Sequence, residues 1–171
     1  MPEKLLAAPF VIAGSRMFSL AQREADIAFR IVPFETADIV QRKLTQMPYG
    51  VYISNGSDRD PRIGSGAGFR LITMDTSTGA FPDIDWLTSL FPNAPVALRS
   101  NNRNSQALMC AKGVGIAVLP RPVGDQAPGL RRLDLAEAPP SREIWMGYHR
   151  DNRRMGRLRA FVDLAIEHLA D

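Results

Sequence analysis

Hydrophobic and polar positions along this chain fall into short blocks, and the period of each block predicts an element. Phe10-Val11-Ile12-Ala13-Gly14 is an uninterrupted apolar run, the pattern of a short buried strand. Ser15 can cap a helix from Arg16 to Ala25, with Phe18, Leu20 and Ala21 as its apolar part. From Asp26 to Val32 the pattern alternates, Ile27, Phe29 and Ile31 against Ala28 and Arg30, which predicts a strand that Pro33 stops. Asp38 to Leu44 predicts a strand with one polar face. Pro48 breaks the chain, and Tyr49 to Ser54 predicts another strand.

The stretch from Asn55 to Gly68 is rich in glycine and charge and reads as a loop. Strands follow at Phe69 to Met74, Pro95 to Arg99, Val114 to Leu119, Leu130 to Leu135 and Ile144 to His149. Between them, Trp86, Leu87, Leu90 and Phe91 recur at helical spacing, and a short helix from Ser105 to Lys112 ends on Gly113, a natural C-cap. The last helix carries Leu158, Phe161, Val162, Ala165 and Leu169 at three- and four-residue steps, one apolar stripe. Strands alternate with helices, so the class is α/β, with a largely parallel sheet or sheets.

Composition narrows the class without changing it. The 171 residues are 45% apolar and 23% charged, with 13 glycines and 13 prolines, ordinary values for a globular chain that can bury a core without staples. The single cysteine, Cys110, excludes an internal disulfide framework. Two histidines beside it match no metal-ligand spacing, so no metal and no cofactor is expected. No apolar run is long enough for a membrane span. The start of the chain lacks the basic end and cleavage site of a signal peptide, so the chain is expected to be cytoplasmic.

Charge is uneven. Residues 142–159 carry six arginines against Glu143 and Asp151, a net +4 that leaves −1 for the remainder of a chain of net +3. With only Trp145 and Tyr148 among these arginines, the block reads as a solvated surface around a helix start rather than a stacking platform for nucleic acid.

Catalytic patterns are absent. Gly64-Ser65-Gly66-Ala67-Gly68 superficially looks like a phosphate loop, but a predicted strand follows it and no Gly-Lys-Ser/Thr completes it, so it reads as a surface loop. Cys110 lies in an apolar helical segment and reads as a small core residue. His149 and His168 belong to no triad signature, and Asp83 and Asp85 flank a helix start, where acids suit the dipole. The chain is therefore not expected to be an enzyme. The strongest local chemistry is binding chemistry. Ser100-Asn101-Asn102-Arg103-Asn104-Ser105 joins a strand end to a helix start, where unpaired N–H groups and short polar side chains suit a carboxylate or other anion. The same residues also serve as caps and turn formers, and spacing alone leaves the two readings level. Ser54-Asn55 and Gly14-Ser15-Arg16 sit at comparable strand ends and carry the same two readings.

These residues also resemble a known family. Arg23 to Arg30, with its D-x-A-x-R ending, the stretch Asp38 to Ser54, and above all Arg99-Ser100-Asn101 followed by Gly113 to Pro120 are similar, in order and spacing, to the effector-binding domain of LysR-type transcriptional regulators. Trp145 to Leu169 resembles the family's return strand and closing helix. The resemblance implies a type II periplasmic-binding-protein-like fold. Residues 1–46 and 143–171 would form one α/β lobe and residues 47–142 the other, with two crossover segments and a small-molecule effector in the cleft between them. It implies ligand contacts from Ser100, Asn101 and Asn102, with Ser54 beside them, and from Ser15 and Arg30 on the first lobe, Arg30 as a counter-charge. It implies pairing into a homodimer or higher oligomer, and control of transcription through a winged helix-turn-helix that these 171 residues lack, so DNA would be reached only through that domain. The family's first strand and helix also have no counterpart here. The open edge this leaves beside Phe10 to Gly14 is expected to be filled by Met1 to Pro9 or by another chain. A solute-binding protein of the same fold, an enzyme on that fold and a dimerisation module without ligand are the other readings.

Overall fold

A computed structural model describes residues 10–14, 16, 18–75 and 81–170. The chain divides into two compact units, one of Met1–Gln46 with Arg142–Asp171 and one of Met47–Ser141. The backbone therefore passes from one unit to the other twice.

The second unit holds a five-stranded sheet. Its strands are β3 (Tyr49–Ser54), β4 (Leu71–Thr73), β5 (Val96–Arg99), β6 (Ile116–Pro120) and β7 (Leu130–Arg132), in the order β5-β4-β6-β3-β7. Its helices are α1 (Pro82–Leu90), α2 (Arg103–Ala111) and the short α3 (Arg121–Gly124). β3, β4 and β6 are buried along nearly their whole length because both of their faces are covered. On one face Val51, Ile53, Leu71, Ile116 and Val118 pack with Leu87 of α1 and Phe91. On the other, Tyr52, Ile72, Ala117 and Leu119 pack with Ala107 and Cys110 of α2. Successive residues of one strand serve opposite cores, as a period of two requires.

The expectation of a largely parallel sheet is corrected. β4 runs parallel to β5 and β6, whereas β3 pairs antiparallel with both β6 and β7. Strand direction follows from how the chain returns, which local periodicity does not encode.

The first unit is built on β1 (Ala28–Arg30), β2 (Ile39–Met47) and β8 (Arg142–His149), in the order β1-β8-β2, followed by a 3₁₀ turn (Arg150–Arg154) and α4 (Gly156–Leu169). β8 is central and pairs antiparallel with β1, Phe29 opposite Met146. Leu20, Phe34 and Ile39 form one small core, and Leu44, Met146 and Ala165 of α4 form another. The apolar stripe of α4 holds at Leu158 and Ala165, which are buried, but its last member, Leu169, is half exposed.

Two predicted elements of this unit are not formed. Residues 10–14 are irregular rather than a buried strand, and Phe10, Val11 and Ile12 are exposed. Among the described residues no strand pairs with them, and an apolar run without a ladder partner has nothing to bury it. The expected partner segment Met1 to Pro9 lies outside the described residues. The expected helix from Arg16 to Ala25 is instead an irregular segment with a turn. The Glu24 carboxylate accepts from the Ser19 backbone N–H at 2.7 Å and from Arg16 at 2.8 Å, and Arg23 has φ 58°, a left-handed conformation that a right-handed helix excludes. Among the described residues, no helix is long and apolar enough to cross a membrane.

Candidate functional site

Because β4 and β5 run parallel, their carboxyl ends open on the same side of the sheet, and the turn from β5 into α2 sits there. Three residues form the turn. Ser100 is half-buried, and its backbone N–H donates to the Thr73 carbonyl at 3.0 Å, tying the turn to the end of β4. Its hydroxyl accepts from the Asn102 backbone N–H at 3.2 Å. Asn102 is the N-cap of α2, extended at φ −118°, with its side chain accepting from the Ser105 N–H at 3.0 Å. Asn101 and Asn102 are exposed. The helix starts two residues earlier than its apolar pattern predicts because this cap supplies the acceptor.

Beneath the turn lies a polar network that the sequence reading missed. Gln106 is fully buried, and its amide donates to the Ser100 carbonyl at 2.6 Å and the Thr73 carbonyl at 3.2 Å. Arg103, the first residue of α2, turns inward. It donates to Asp83 at 2.8 Å, to the Val118 carbonyl at 2.8 Å and to the Gln106 side-chain oxygen at 3.1 Å, and its guanidinium lies 5.3 Å from the Tyr49 ring centroid. Asp83 is thus more than a residue suited to the dipole of α1: it is buried and holds the cation that fixes the start of α2. The sequence signal for this is a glutamine directly before the apolar run of residues 107–111 and three residues after an arginine. No acidic residue of α2 itself occupies its first turn, and the Asp83 carboxylate is engaged by Arg103 beneath it, so an incoming anion meets a positive helix end.

The other expected residues lie elsewhere. Ser54 is not beside Ser100. It ends β3, which runs against β6, and so lies at the opposite end of the sheet, donating to the Ala111 carbonyl at 3.0 Å where α2 finishes. The antiparallel course of β3 separates the two serines. Arg30 lies in the first unit. It donates to the Phe18 carbonyl at 2.6 Å, and its guanidinium stacks 4.5 Å from the Phe34 ring centroid. Ser15 falls outside the described residues.

The glycine-rich loop is structural. Gly66 has φ 88° and is buried, and a Cβ there would come within 2.8 Å of the Phe91 side chain. Cys110 is sealed in the core, where burial pushes its thiol up to about 12, the form least fit for nucleophilic work. Among the described residues no group of three or more His, Cys, Asp or Glu side chains is placed to hold a metal. A groove of about 450 Å³ runs between α2 and α3, past Leu108, Ala111 and Val123, and includes none of the expected ligand residues.

A family model described as the LysR substrate binding domain matches residues 12–170. Among solved structures, the chain is similar to CrgA, a LysR-type transcriptional regulator from Neisseria meningitidis. The identity is 21% and the TM-score 0.70, over 89% of this chain and 55% of that one. It is also similar to the regulatory domain of MexT, a transcriptional activator in Pseudomonas aeruginosa (15% identity, TM-score 0.69, 88% and 77% of the two chains). A third similarity is to the regulatory domain of CcmR from Synechocystis PCC6803, solved in complex with 2-PG (18% identity, TM-score 0.65, 86% and 75%). The chain spans just over half of the CrgA chain. No curated protein sequence matches it.

Proposed function

From the premise that this chain belongs to the LysR substrate binding domain family, we propose that it senses a small anionic metabolite and controls transcription through a winged helix-turn-helix outside these residues. Its two-sheet α/β fold is of the type II periplasmic-binding-protein-like class that the resemblance implies. The observation that carries the anionic reading is the β5–α2 turn. Ser100, Asn101 and Asn102 stand at the carboxyl end of parallel strands, at a helix N-terminus free of acidic side chains in its first turn. Gln106 and Arg103 brace the turn from below, so little ordering is left for a ligand to impose. CcmR, solved in complex with 2-PG, is a structural relative whose regulatory domain holds a ligand. Ser15 and Arg30 enter the proposal through the family resemblance alone, as do the cleft location and pairing with a second copy. Ser54 is left out.

Thermal-shift screening against mono- and dicarboxylates and phosphorylated acids, followed by calorimetry on any hit, tests this reading. A hit is expected, with Ser100→Ala and Asn101→Ala each weakening it by about tenfold, the loss of one hydrogen bond to a charged group. Affinity unchanged in both variants would refute the site, and a panel in which only neutral compounds bind would refute the anionic class.

A further inference from the structure

The arginine block of residues 142–159 reads in sequence as a solvated face. The structure divides it. Arg150 pairs with Asp38 at 3.0 Å, and the neighbouring Asp151 is taken by Arg23 at 3.2 Å. Arg153, Arg154, Arg157 and Arg159 are all exposed, and among the described residues their side chains have no hydrogen-bond or ion-pair partner. Four unpaired guanidinium groups thus stand within seven residues, on the end of the 3₁₀ turn and the first turn of α4. The other exposed cations without such a partner, Arg42, Arg70, Arg99 and Lys112, are scattered along the chain.

This placement works against stability. The start of a helix is its positive end, where acidic side chains are favoured and basic ones are not. The first turn of α4 has no acidic residue, and its N-cap, Met155, offers no side-chain acceptor. Asp163 lines a cavity of about 90 Å³ with Tyr148, Arg153, Leu158, Arg159 and Val162. Four arginines, the helix N–H groups and one acid leave a strong local excess of positive charge that nothing described in the protein offsets.

We propose that this surface binds the phosphate backbone of duplex DNA. The choice of DNA rests on the regulator reading above; the need for a polyanion rests on the patch alone. Three observations favour a phosphate backbone over an acidic protein or a single strand. The cations are all arginine, whose planar fork engages phosphate oxygens bidentately. None of the exposed large hydrophobic residues lies between 142 and 163, so the patch lacks the apolar anchors that centre a protein interface. Tyr148 is the one aromatic residue lining the cavity with Arg153 and Arg159, too few for a stacking platform there, whereas backbone contact with a duplex needs none. Contacts of this kind position a protein on DNA and carry no sequence information.

The test is fluorescence anisotropy of the 171-residue protein with a labelled duplex of about 20 base pairs and arbitrary sequence, from about 50 to about 200 mM salt. Binding is expected at low salt, with log K falling against log salt at a slope near −3, roughly a 50-fold loss over that range for three to four phosphate contacts. The variant with Arg153→Gln, Arg154→Gln, Arg157→Gln and Arg159→Gln should bind about tenfold more weakly or worse, with a flattened slope. Its Tm should not fall, since Arg157 and Arg159 stand at the positive end of α4 and none of the four has a described partner to lose. A control variant with Arg42→Gln, Arg70→Gln, Arg99→Gln and Lys112→Gln should keep the binding. No wild-type binding at low salt overturns the proposal, as does equal loss in the control variant. Full displacement by inorganic phosphate at matched ionic strength would assign the patch to a small anion, and displacement by polyglutamate at equal charge would assign it to an acidic protein; either overturns the duplex. The effector titrations use a different ligand and different residues, so a failure of the effector reading and a failure of duplex binding are told apart.

Discussion

α2 begins on Arg103 and α4 carries Arg157 as its second residue, with no acidic residue in the first turn of either, and the two helices treat the charge in opposite ways. Arg103 folds beneath its helix, where Asp83, two acceptor oxygens and the Tyr49 ring surround it, and an asparagine caps the turn above. Arg157 and its neighbours point outward from an uncapped start and meet no acceptor. In the short α3, Arg121 takes a middle course, pairing with Asp125 at 3.1 Å on the surface. The same residue type at a helix start thus serves as an internal brace, a surface tie or an unfilled charge. What decides is whether another element delivers an acceptor. α1 delivers Asp83 to α2, and no element delivers one to the start of α4.

Breaking the brace should cost the most. Asp83→Leu leaves the Arg103 charge without its carboxylate in a mostly buried setting, and about 3 kcal/mol or more of stability should be lost, read as a lower urea midpoint at unchanged slope. A loss under about 1 kcal/mol would mean that solvent reaches Arg103 and that the contrast with α4 is overstated.

The surface tie is the next test, through pH. Tyr52 donates to Asp125 at 2.6 Å, and burial followed by that carboxylate pushes its hydroxyl up to about 12. The folded value exceeds the unfolded one, so the contribution is complete below about pH 10 and is lost as pH rises through about 12. Asp125 itself is lowered, first by the Tyr52 hydrogen bond and further by Arg121 and Arg132. Its contribution is therefore present above the ordinary carboxylate range and lost as pH falls through its lowered value. Ultraviolet titration should show one tyrosine ionising near 12, absent in Tyr52→Phe, whose stability should decline less between pH 10 and 12. A Tyr52→Phe decline identical to that of the unaltered protein would dissolve the tie.

Smallest, and opposite in sign, are the two helix starts themselves. Asn102→Ala should cost about 1 kcal/mol by removing the cap. Arg157→Glu should stabilise by a few tenths of a kcal/mol up to about 1 kcal/mol. If both substitutions destabilise in thermal melts, the start of α4 is satisfied in a way that its side chains do not show.

Much of this architecture was legible where burial is two-sided. YGVYIS bounds β3 correctly and Val114 to Leu119 reads as the buried strand β6, because a strand covered on both faces needs no outside information to declare itself, whereas the alternation of Phe69 to Met74 finds β4 but not the burial of all its residues. The Ser100–Asn102 turn was legible for a similar reason: capping chemistry is local. Features set by distant chain were not. Phe10 to Gly14 has the pattern of a core strand and none of its burial, since a ladder partner is not written in the strand itself. Ser54 was grouped with Ser100 because both end strands, and the reversed course of β3 separated them. Arg103 and Asp83 looked like independent surface charges until α1 and α2 were brought together.

The order of strands in the first unit has a bearing on how the chain is made. β8 stands between β1 and β2, so both of these strands wait for a partner translated only after the whole of residues 47–141. Residues 47–141 form an uninterrupted compact unit that can close while β8 is still unmade. The usual direction of vectorial folding is therefore inverted here. Until β8 emerges, β1 and β2 hold no sheet, and the nascent segment that carries them, apolar at Phe29, Ile31 and Val32, has need of a chaperone.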